Sequence, residues 1–180
     1  MNKATEGCLL PAAIVFVIFF MAAIIFNANY DSNQTEYKTI KGITPMMITP
    51  LTGTLERQFG YDMSERETVT GATIYTFTKG VDKIELTTKY EMATEIGLGL
   101  LILKNYYPED GSISDAAKYL ATEIVSLPYQ GSKPDSARQW METRFTKVRG
   151  TFSAGDGEFR WSDISVGENG KKLSLRGVQK

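Results

Sequence analysis

The sequence of 180 residues contains no histidine and only one cysteine, Cys8. Without histidine, the chain cannot build a Ser-His-Asp triad or a Cys-His pair. Without cysteine beyond position 8, the rest of the chain excludes thiolate zinc sites, CxxC redox motifs and disulfides. No disulfide can therefore report the compartment of this part of the chain. We expect no cofactor and no metal, and no histidine or thiol chemistry.

Several sequence motifs of enzymes are also missing. The chain has no GxxxxGK[ST] phosphate loop, no complete GxGxxG, no GxSxG and no SxxK. Carboxylates are then the remaining candidate acids and bases, and Asp62, Glu65 and Glu109 are the best of them. Neither of their acidic clusters lies in an apolar stretch that would raise a pKa. Around Asp115, helix capping is the favoured interpretation, with calcium binding second and catalysis third. We therefore predict that the protein is not an enzyme.

The chain has little excess of either charge. Its 20 basic and 21 acidic residues give a net charge of −1, which indicates no general attraction to nucleic acid. Basic residues gather only late in the chain, beside one tryptophan. Because the predicted helix and hairpin scatter them, we interpret them as solvated surface and predict no nucleic-acid binding. They are Arg138, Arg144, Lys147, Arg149 and Arg160, with Trp161.

One apolar run, LLPAAIVFVIFFMAAIIF at 9–26, has no charge, amide or hydroxyl. At about 1.5 Å per residue, a helix of this length reaches ~27 Å, close to the ~30 Å of a bilayer's hydrocarbon core. The sequence therefore predicts a short tail at 1–8 and a single transmembrane signal anchor at 9–26, bound to the lipid bilayer. Its bulkiest apolar residues include Leu9, Phe16, Phe19, Phe20 and Phe26.

A cleaved signal peptide is the alternative interpretation of this run. Signal peptides have shorter apolar regions and end in a small-x-small site. Cleavage after Ala28 would place the bulky Phe26 at the −3 position, so an uncleaved anchor is favoured. Lys3 precedes the run, whereas Asp31 and Glu36 follow it. By the positive-inside rule, we expect a cytoplasmic N-terminus and an exoplasmic or periplasmic domain.

A juxtamembrane linker is predicted at 27–50, because this stretch lacks periodicity and contains Pro45 and Pro50. Its middle is apolar, at Met46, Met47 and Ile48. A partner protein is expected to bind there or at the threonine-rich edge of the sheet, by adding a strand.

The remaining residues, 51–180, form one predicted soluble domain. Alternating apolar residues predict strands at 68–78 and 81–90, and turn signals separate further strands at 151–153, 158–166 and 171–178. Helical spacing predicts helices at 91–107, at 112–127 with Ser112 as its cap, and from 135 or 136 to 148, with a short helix at 54–61. The order indicates an α+β domain with about three helices packed on an antiparallel sheet.

These patterns favour a membrane-anchored accessory or structural subunit that binds protein partners in a membrane or envelope assembly. A membrane-anchored hydrolase using carboxylates is one alternative. Another is a small-ligand or cell-wall binding module, for which we expect an apolar pocket lined by Trp140, Trp161 and tyrosines.

Overall fold

The structure, a computed structural model, describes residues 38–67, 71–92, 96–106, 112–147, 149–165 and 168–178. The predicted anchor at 9–26, the tail before it and residues 27–37 of the predicted linker lie outside these ranges. Within the described ranges, no helix has the length and apolar character that crossing a membrane requires.

The described residues form eight strands and three helices. The strands are β1 (Ile40–Lys41), β2 (Asp62–Glu67), β3 (Ala72–Lys79), β4 (Asp82–Met92), β5 (Ile96–Tyr106), β6 (Gly150–Ala154), β7 (Gly157–Ser165) and β8 (Glu168–Gly177). The helices are α1 (Pro45–Arg57), between β1 and β2, and α2 (Asp115–Val125) and α3 (Pro134–Glu142), between β5 and β6.

All strands belong to one antiparallel sheet in the order β2-β3-β4-β5-β8-β7-β6. The short strand β1 pairs with β5 through Ile40 and Leu98. Strand β8 pairs with the same side of β5, from Leu100 onward. Strands β1 and β8 therefore lie end to end along β5. The α+β class and the antiparallel sheet are confirmed.

The hydrophobic core lies between the helices and one face of the sheet. On this face Leu103 of β5 pairs with Leu86 of β4 on one side and with Leu173 of β8 on the other, and all three are buried. They belong to one cluster with Leu55 of α1 and Leu120 of α2. Full burial of one such side chain contributes about 1.5–3 kcal/mol, and the alternation of these strands leaves the opposite face of the sheet open.

The ends of the helices follow capping rules. In α2, the Ser114 hydroxyl accepts a hydrogen bond from the N–H of Ala117 at 3.2 Å. The cap is therefore Ser114, two positions after the predicted Ser112. Helix α1 begins at Pro45, where the missing N–H has no intrahelical partner to lose.

The predicted helix at 91–107 is wrong, because these residues form the end of β4 and all of β5. Two glycines allow the close contacts of this part of β5 with its neighbours. A Cβ at Gly97 would collide with Thr39 beside β1, and a Cβ at Gly99 would lie 3.1 Å from a carboxylate oxygen of Glu91. Pairing on both sides of β5 also overrides the weak helical spacing of its leucines.

The region before β3 also differs from the prediction. Part of the predicted linker forms β1 and the first turns of α1, so that the helix predicted at 54–61 begins at Pro45 and ends at Arg57. The acidic stretch at Asp62, where no strand was predicted, is the edge strand β2. Its pairing with β3 forms a sheet edge from residues that have little apolar character of their own.

The loop between α2 and α3 docks on the β6–β7 hairpin. The Tyr129 hydroxyl donates to the carbonyl oxygen of Ala154 at 3.1 Å. Gly131 and Gly155 meet backbone to backbone, and a Cβ at Gly131 would lie 2.6 Å from the Cα of Gly155. Burial raises the pKa of Tyr129 to about 12. These contacts hold the loop against the turn of the β6–β7 hairpin.

A second set of polar contacts joins the segment after α1 and the N-cap of α2 to the sheet. The Tyr61 hydroxyl donates to Asp82, and the buried Asn105 amide donates to the other carboxylate oxygen of Asp82 at 2.8 Å. The Asn105 carbonyl oxygen accepts the N–H of Ser114 at 3.3 Å. Burial, with the hydrogen bond to Asp82, raises the pKa of Tyr61 to about 12.

Candidate functional site: the open face of the sheet

The face of the sheet opposite the helices carries many basic side chains. Residues directly paired in antiparallel strands share a face, so the registers define which side chains lie here. On β4, β5, β8 and β7 the described side chains of this open face include six lysines or arginines against three glutamates, and the others are mostly polar or aliphatic. The charged members are Lys83, Lys89, Lys104, Arg160, Lys172, Arg176, Glu85, Glu91 and Glu158.

A cavity of about 480 Å³ lies on this open face, over β5, β8, β7 and the start of β6. Its floor contains Leu100 and Ile102 of β5, and the hydroxyls of Ser162 and Ser174 lie beside them. Four cationic side chains line it, and no carboxylate of the described residues does. These four are Arg149, Arg160, Lys172 and Arg176. The volume falls within the range of ~300–1,000 Å³ that is typical of ligand sites.

Glu158 partly neutralises the arginines at the margin of this cavity. Its Oε1 atom accepts from Nε of Arg160 at 2.7 Å and from Nη2 of Arg176 at 2.6 Å. One carboxylate thus faces two guanidinium groups. Lys172 and Arg149 form no ion pair with another described residue. The cavity therefore keeps an excess of positive charge.

The opposite half of the open face is closer to neutral. Glu85 contacts Lys83 at 2.7 Å and Lys104 at 4.0 Å, and accepts from the Tyr106 hydroxyl at 2.8 Å. Partial burial would raise the pKa of Glu85, but the hydrogen bonds from Lys83 and Tyr106 and the two lysine charges outweigh it and lower this pKa. Glu85 is therefore ionised at neutral pH. With Glu91 it sets two carboxylates against the three lysines of this half, so the larger excess of positive charge lies at the cavity.

The predicted partner segment lies in the first turn of α1. Met46 is 83 % exposed, Met47 is partly buried against the core, and Ile48 is 2 % exposed and belongs to the core. The segment is helical and not extended, so partner binding there is not the addition of a strand. Met46 remains the one large apolar side chain of the three that is open to contact.

The threonine-rich strand β3 is not an edge, because it pairs with β2 on one side and with β4 on the other. The outer strands of the described sheet are β2 and β6. The threonine-rich edge of the prediction is therefore not β3. Among the described strands, a partner strand would add beside β2 or β6, and this binding stays a prediction.

Of the three carboxylates named as candidate catalysts, only the side chain of Asp62 lies among the described residues. Asp62 is exposed at the start of β2, and Glu109 lies outside the described residues, as does the side chain of Glu65. Asp115 is the first residue of α2, where it pairs with Lys118 at 2.9 Å. Helix capping and this ion pair account for Asp115. The hydrolase hypothesis remains a prediction.

The two tryptophans do not form the predicted aromatic pocket. Trp140 packs against Phe152, with ring centroids 5.7 Å apart, and Trp161 packs edge-on against Phe145 at 6.0 Å. Trp161 is 3 % exposed, and its indole N–H donates to the carbonyl oxygen of Lys147 at 3.2 Å. Trp161 borders the cation-lined cavity, but Trp140 and the tyrosines do not.

The late basic residues divide into two groups. Arg138 pairs with Glu123 at 3.7 Å, and the guanidinium of Arg144 lies 5.9 Å from the ring centroid of Trp140. Arg149 and Arg160, in contrast, share the cavity with two residues that the sequence reasoning missed, Lys172 and Arg176. The signal was present in β8, where Lys172, Ser174 and Arg176 alternate with Leu173 and Leu175.

No cluster of three or more histidine, cysteine, aspartate or glutamate side chains suited to a metal ion occurs within the described ranges. The cavity residues instead suit an anion, because guanidinium and ammonium groups with hydroxyls donate to carboxylate or phosphate oxygens. Comparison of the chain with protein-family models, with curated proteins and with solved structures finds no match.

Proposed function

We propose that this chain is a single-pass membrane-anchored accessory or structural subunit whose domain binds a protein partner on the open face of the sheet. The observation that carries this proposal is the cavity lined by Arg149, Arg160, Lys172 and Arg176. Because these cations outnumber the nearby carboxylate of Glu158, the complementary surface on the partner is acidic.

The apolar part of the cavity supports a protein partner in particular. Leu100 and Ile102 are half-buried in its floor, between basic side chains. A segment that presents both acidic and apolar side chains covers both parts at once. Inorganic anions would leave the aliphatic floor in contact with water, which gives no hydrophobic contribution to binding.

The membrane anchor is the second part of the proposal and depends on the sequence at 9–26. With Lys3 on the cytoplasmic side, the domain would be exoplasmic or periplasmic. Tethering confines the domain to a thin layer at the membrane surface, which raises its effective concentration toward partners in the same membrane. Weak electrostatic contacts are then sufficient for assembly.

Affinity purification from membranes solubilised in a non-ionic detergent tests the proposal. The full chain is compared with Lys172→Glu in the cavity and with Lys133→Glu, an exposed residue before α3 with no described ion pair. Both variants change the charge equally. We expect proteins with acidic segments to be lost from Lys172→Glu alone, and the bait to retain its first residues by mass spectrometry. Identical sets of proteins in all three samples would overturn partner binding at this face.

A small anionic ligand is a second candidate, because the volume of about 480 Å³ suits one. Native mass spectrometry of the purified chain distinguishes the two. A bound organic anion of constant mass, displaced by the Lys172→Glu substitution, would favour the ligand over the protein partner.

A further inference from the structure

Strand β6 is an outer strand of the sheet with an unprotected edge. It pairs with β7 on one side, and no described strand pairs with its other side. Natural edge strands are protected from pairing by charged residues, proline or bulges. The sequence of β6, GTFSA, has no charge and no proline, whereas β2 at the other edge, DMSERE, has four charged residues. Of the two edges, β6 is the one open to a further strand.

The hairpin geometry shows which backbone groups of β6 are available. The turn has two residues, Gly155 and Asp156, and Gly155 has φ +54°, as a type II′ turn requires. In such a hairpin the flanking Ala154 and Gly157 bond to each other. Because bonded and non-bonded pairs alternate, the N–H and C=O groups of Thr151 and Ser153 point away from β7. No described backbone group outside the strands bonds to them.

The side chains beside this edge define the partner strand. On the open face, Thr151 pairs with Arg160, and Arg149 directly precedes β6. On the other face, Phe152 is half-buried against Trp140. Alternate residues of an added strand would therefore face cations on one side and aromatic rings on the other. The matching sequence alternates acidic and apolar residues.

We propose that β6 accepts a strand of this kind from the protein partner, which extends the sheet and directs its acidic side chains toward Arg149 and Arg160. The inference rests on the proposed function, since it names how the acidic partner docks. A second copy of this chain is a poorer occupant, because pairing β6 with β6 would bring two arginine-bearing edges together.

Amide hydrogen exchange gives a direct test with a defined probe. The probe is a soluble peptide of about ten residues in which glutamate alternates with valine, added to the full chain in a non-ionic detergent. We expect exchange at Thr151 and Ser153 to slow about tenfold or more when the peptide binds, because these N–H groups gain partners. The N–H of Phe152 already bonds to β7 and should change little. Slowed exchange elsewhere in the domain, with none at β6, would overturn the proposal.

A pair of variants separates strand addition from simple charge attraction. Thr151→Pro removes an outward N–H that the fold does not use, and proline is tolerated at such edge positions. Thr151→Val keeps the N–H and is the control. We expect Thr151→Pro to weaken peptide binding about tenfold or more and Thr151→Val to leave it within about twofold. Should Thr151→Pro fail to fold, Ser153→Pro makes the same test at the next outward N–H.

The outcomes distinguish the two proposals. Equal binding of the peptide to Thr151→Pro and Thr151→Val would overturn strand addition and leave the acidic partner in place. Equal binding of the glutamate peptide and a lysine–valine peptide would overturn the proposed function itself. Self-association of the chain without peptide, abolished by Thr151→Pro, would make a second copy the occupant and overturn the acidic partner strand.

Discussion

Arg176 donates to Glu158 through two nitrogens, Nε at 2.9 Å and Nη2 at 2.6 Å, across the paired strands β8 and β7. The same carboxylate oxygen also accepts from Nε of Arg160. Glu158 therefore holds two guanidinium groups in place and neutralises only one of their charges. These contacts of Glu158 order the two arginines at the margin of the cavity and leave the cavity with an excess of positive charge.

Replacement of Glu158 by glutamine should strengthen binding of acidic ligands. Glu158→Gln releases one unit of positive charge at the cavity margin, which corresponds to ~0.5–1 kcal/mol in a solvent-screened site, or about threefold in affinity. Fluorescence anisotropy with the glutamate–valine peptide, at low and high salt, measures the change. Weaker binding than in the wild type would mean that holding Arg160 and Arg176 in place by Glu158 matters more for binding than the added net charge.

Removal of the α2 cap should destabilise the domain. Ser114→Ala deletes the hydroxyl that accepts the Ala117 N–H, and such losses cost about 1 kcal/mol. Urea unfolding measures the difference in the free energy of unfolding. Ser136→Ala, at an exposed position in α3, is the control and should remain within about 0.5 kcal/mol. Equal effects of the two substitutions would contradict Ser114 as the cap.

Gly155 should tolerate alanine less well than Gly80 does. Both have positive φ, +54° and +60°, so alanine strains the backbone at either site by about 1 kcal/mol. Around Gly80 no atom would contact the new Cβ within 4 Å, whereas at Gly155 it would collide with Gln130 and Gly131. We expect Gly155→Ala to cost at least about 2 kcal/mol more than Gly80→Ala by urea unfolding. Equal costs would mean that the loop does not dock on the hairpin.

Stability should fall at alkaline pH. Burial raises the pKa of Tyr61, Tyr90 and Tyr129 from 10.0 to about 12. Since the folded state holds these protons more tightly than the unfolded state, their contribution is full below pH 10 and is lost between about pH 10 and 12. Urea unfolding at a series of pH values gives the free energy of unfolding as a function of pH. Between about pH 10 and 12 this free energy should fall less steeply in Tyr129→Phe than in the wild type. An unchanged slope in this variant would contradict the raised pKa of Tyr129.

The sequence predicts some strands of this fold and misses others, for reasons visible in particular residues. Alternation marks β4, β7 and β8 because one face is buried and the other is open. The run IGLGLLIL in β5 has apolar residues on both faces, with Leu101 and Leu103 in the core and Leu100 and Ile102 under the cavity. Such a run has no strand period, so only its neighbours decide its structure.

Only part of the candidate site can be predicted from the sequence. The alternation of Lys172, Ser174 and Arg176 with buried leucines predicts a polar face, but not that Arg149 and Arg160 join it. That juxtaposition depends on the order β8-β7-β6, which follows from long-range pairing and not from any local pattern. The edge position of β6 depends on the same order.

The most direct test of an acid-binding open face is a titration of the full chain with the labelled glutamate–valine peptide. Wild type, Lys172→Glu and Lys133→Glu are compared by fluorescence anisotropy at low salt, where the charges are least screened. Reversal of a charge inside the cavity should weaken binding about tenfold or more, and the same reversal at Lys133 should change it less than about threefold. Equal affinities of the two variants for the peptide would contradict the account.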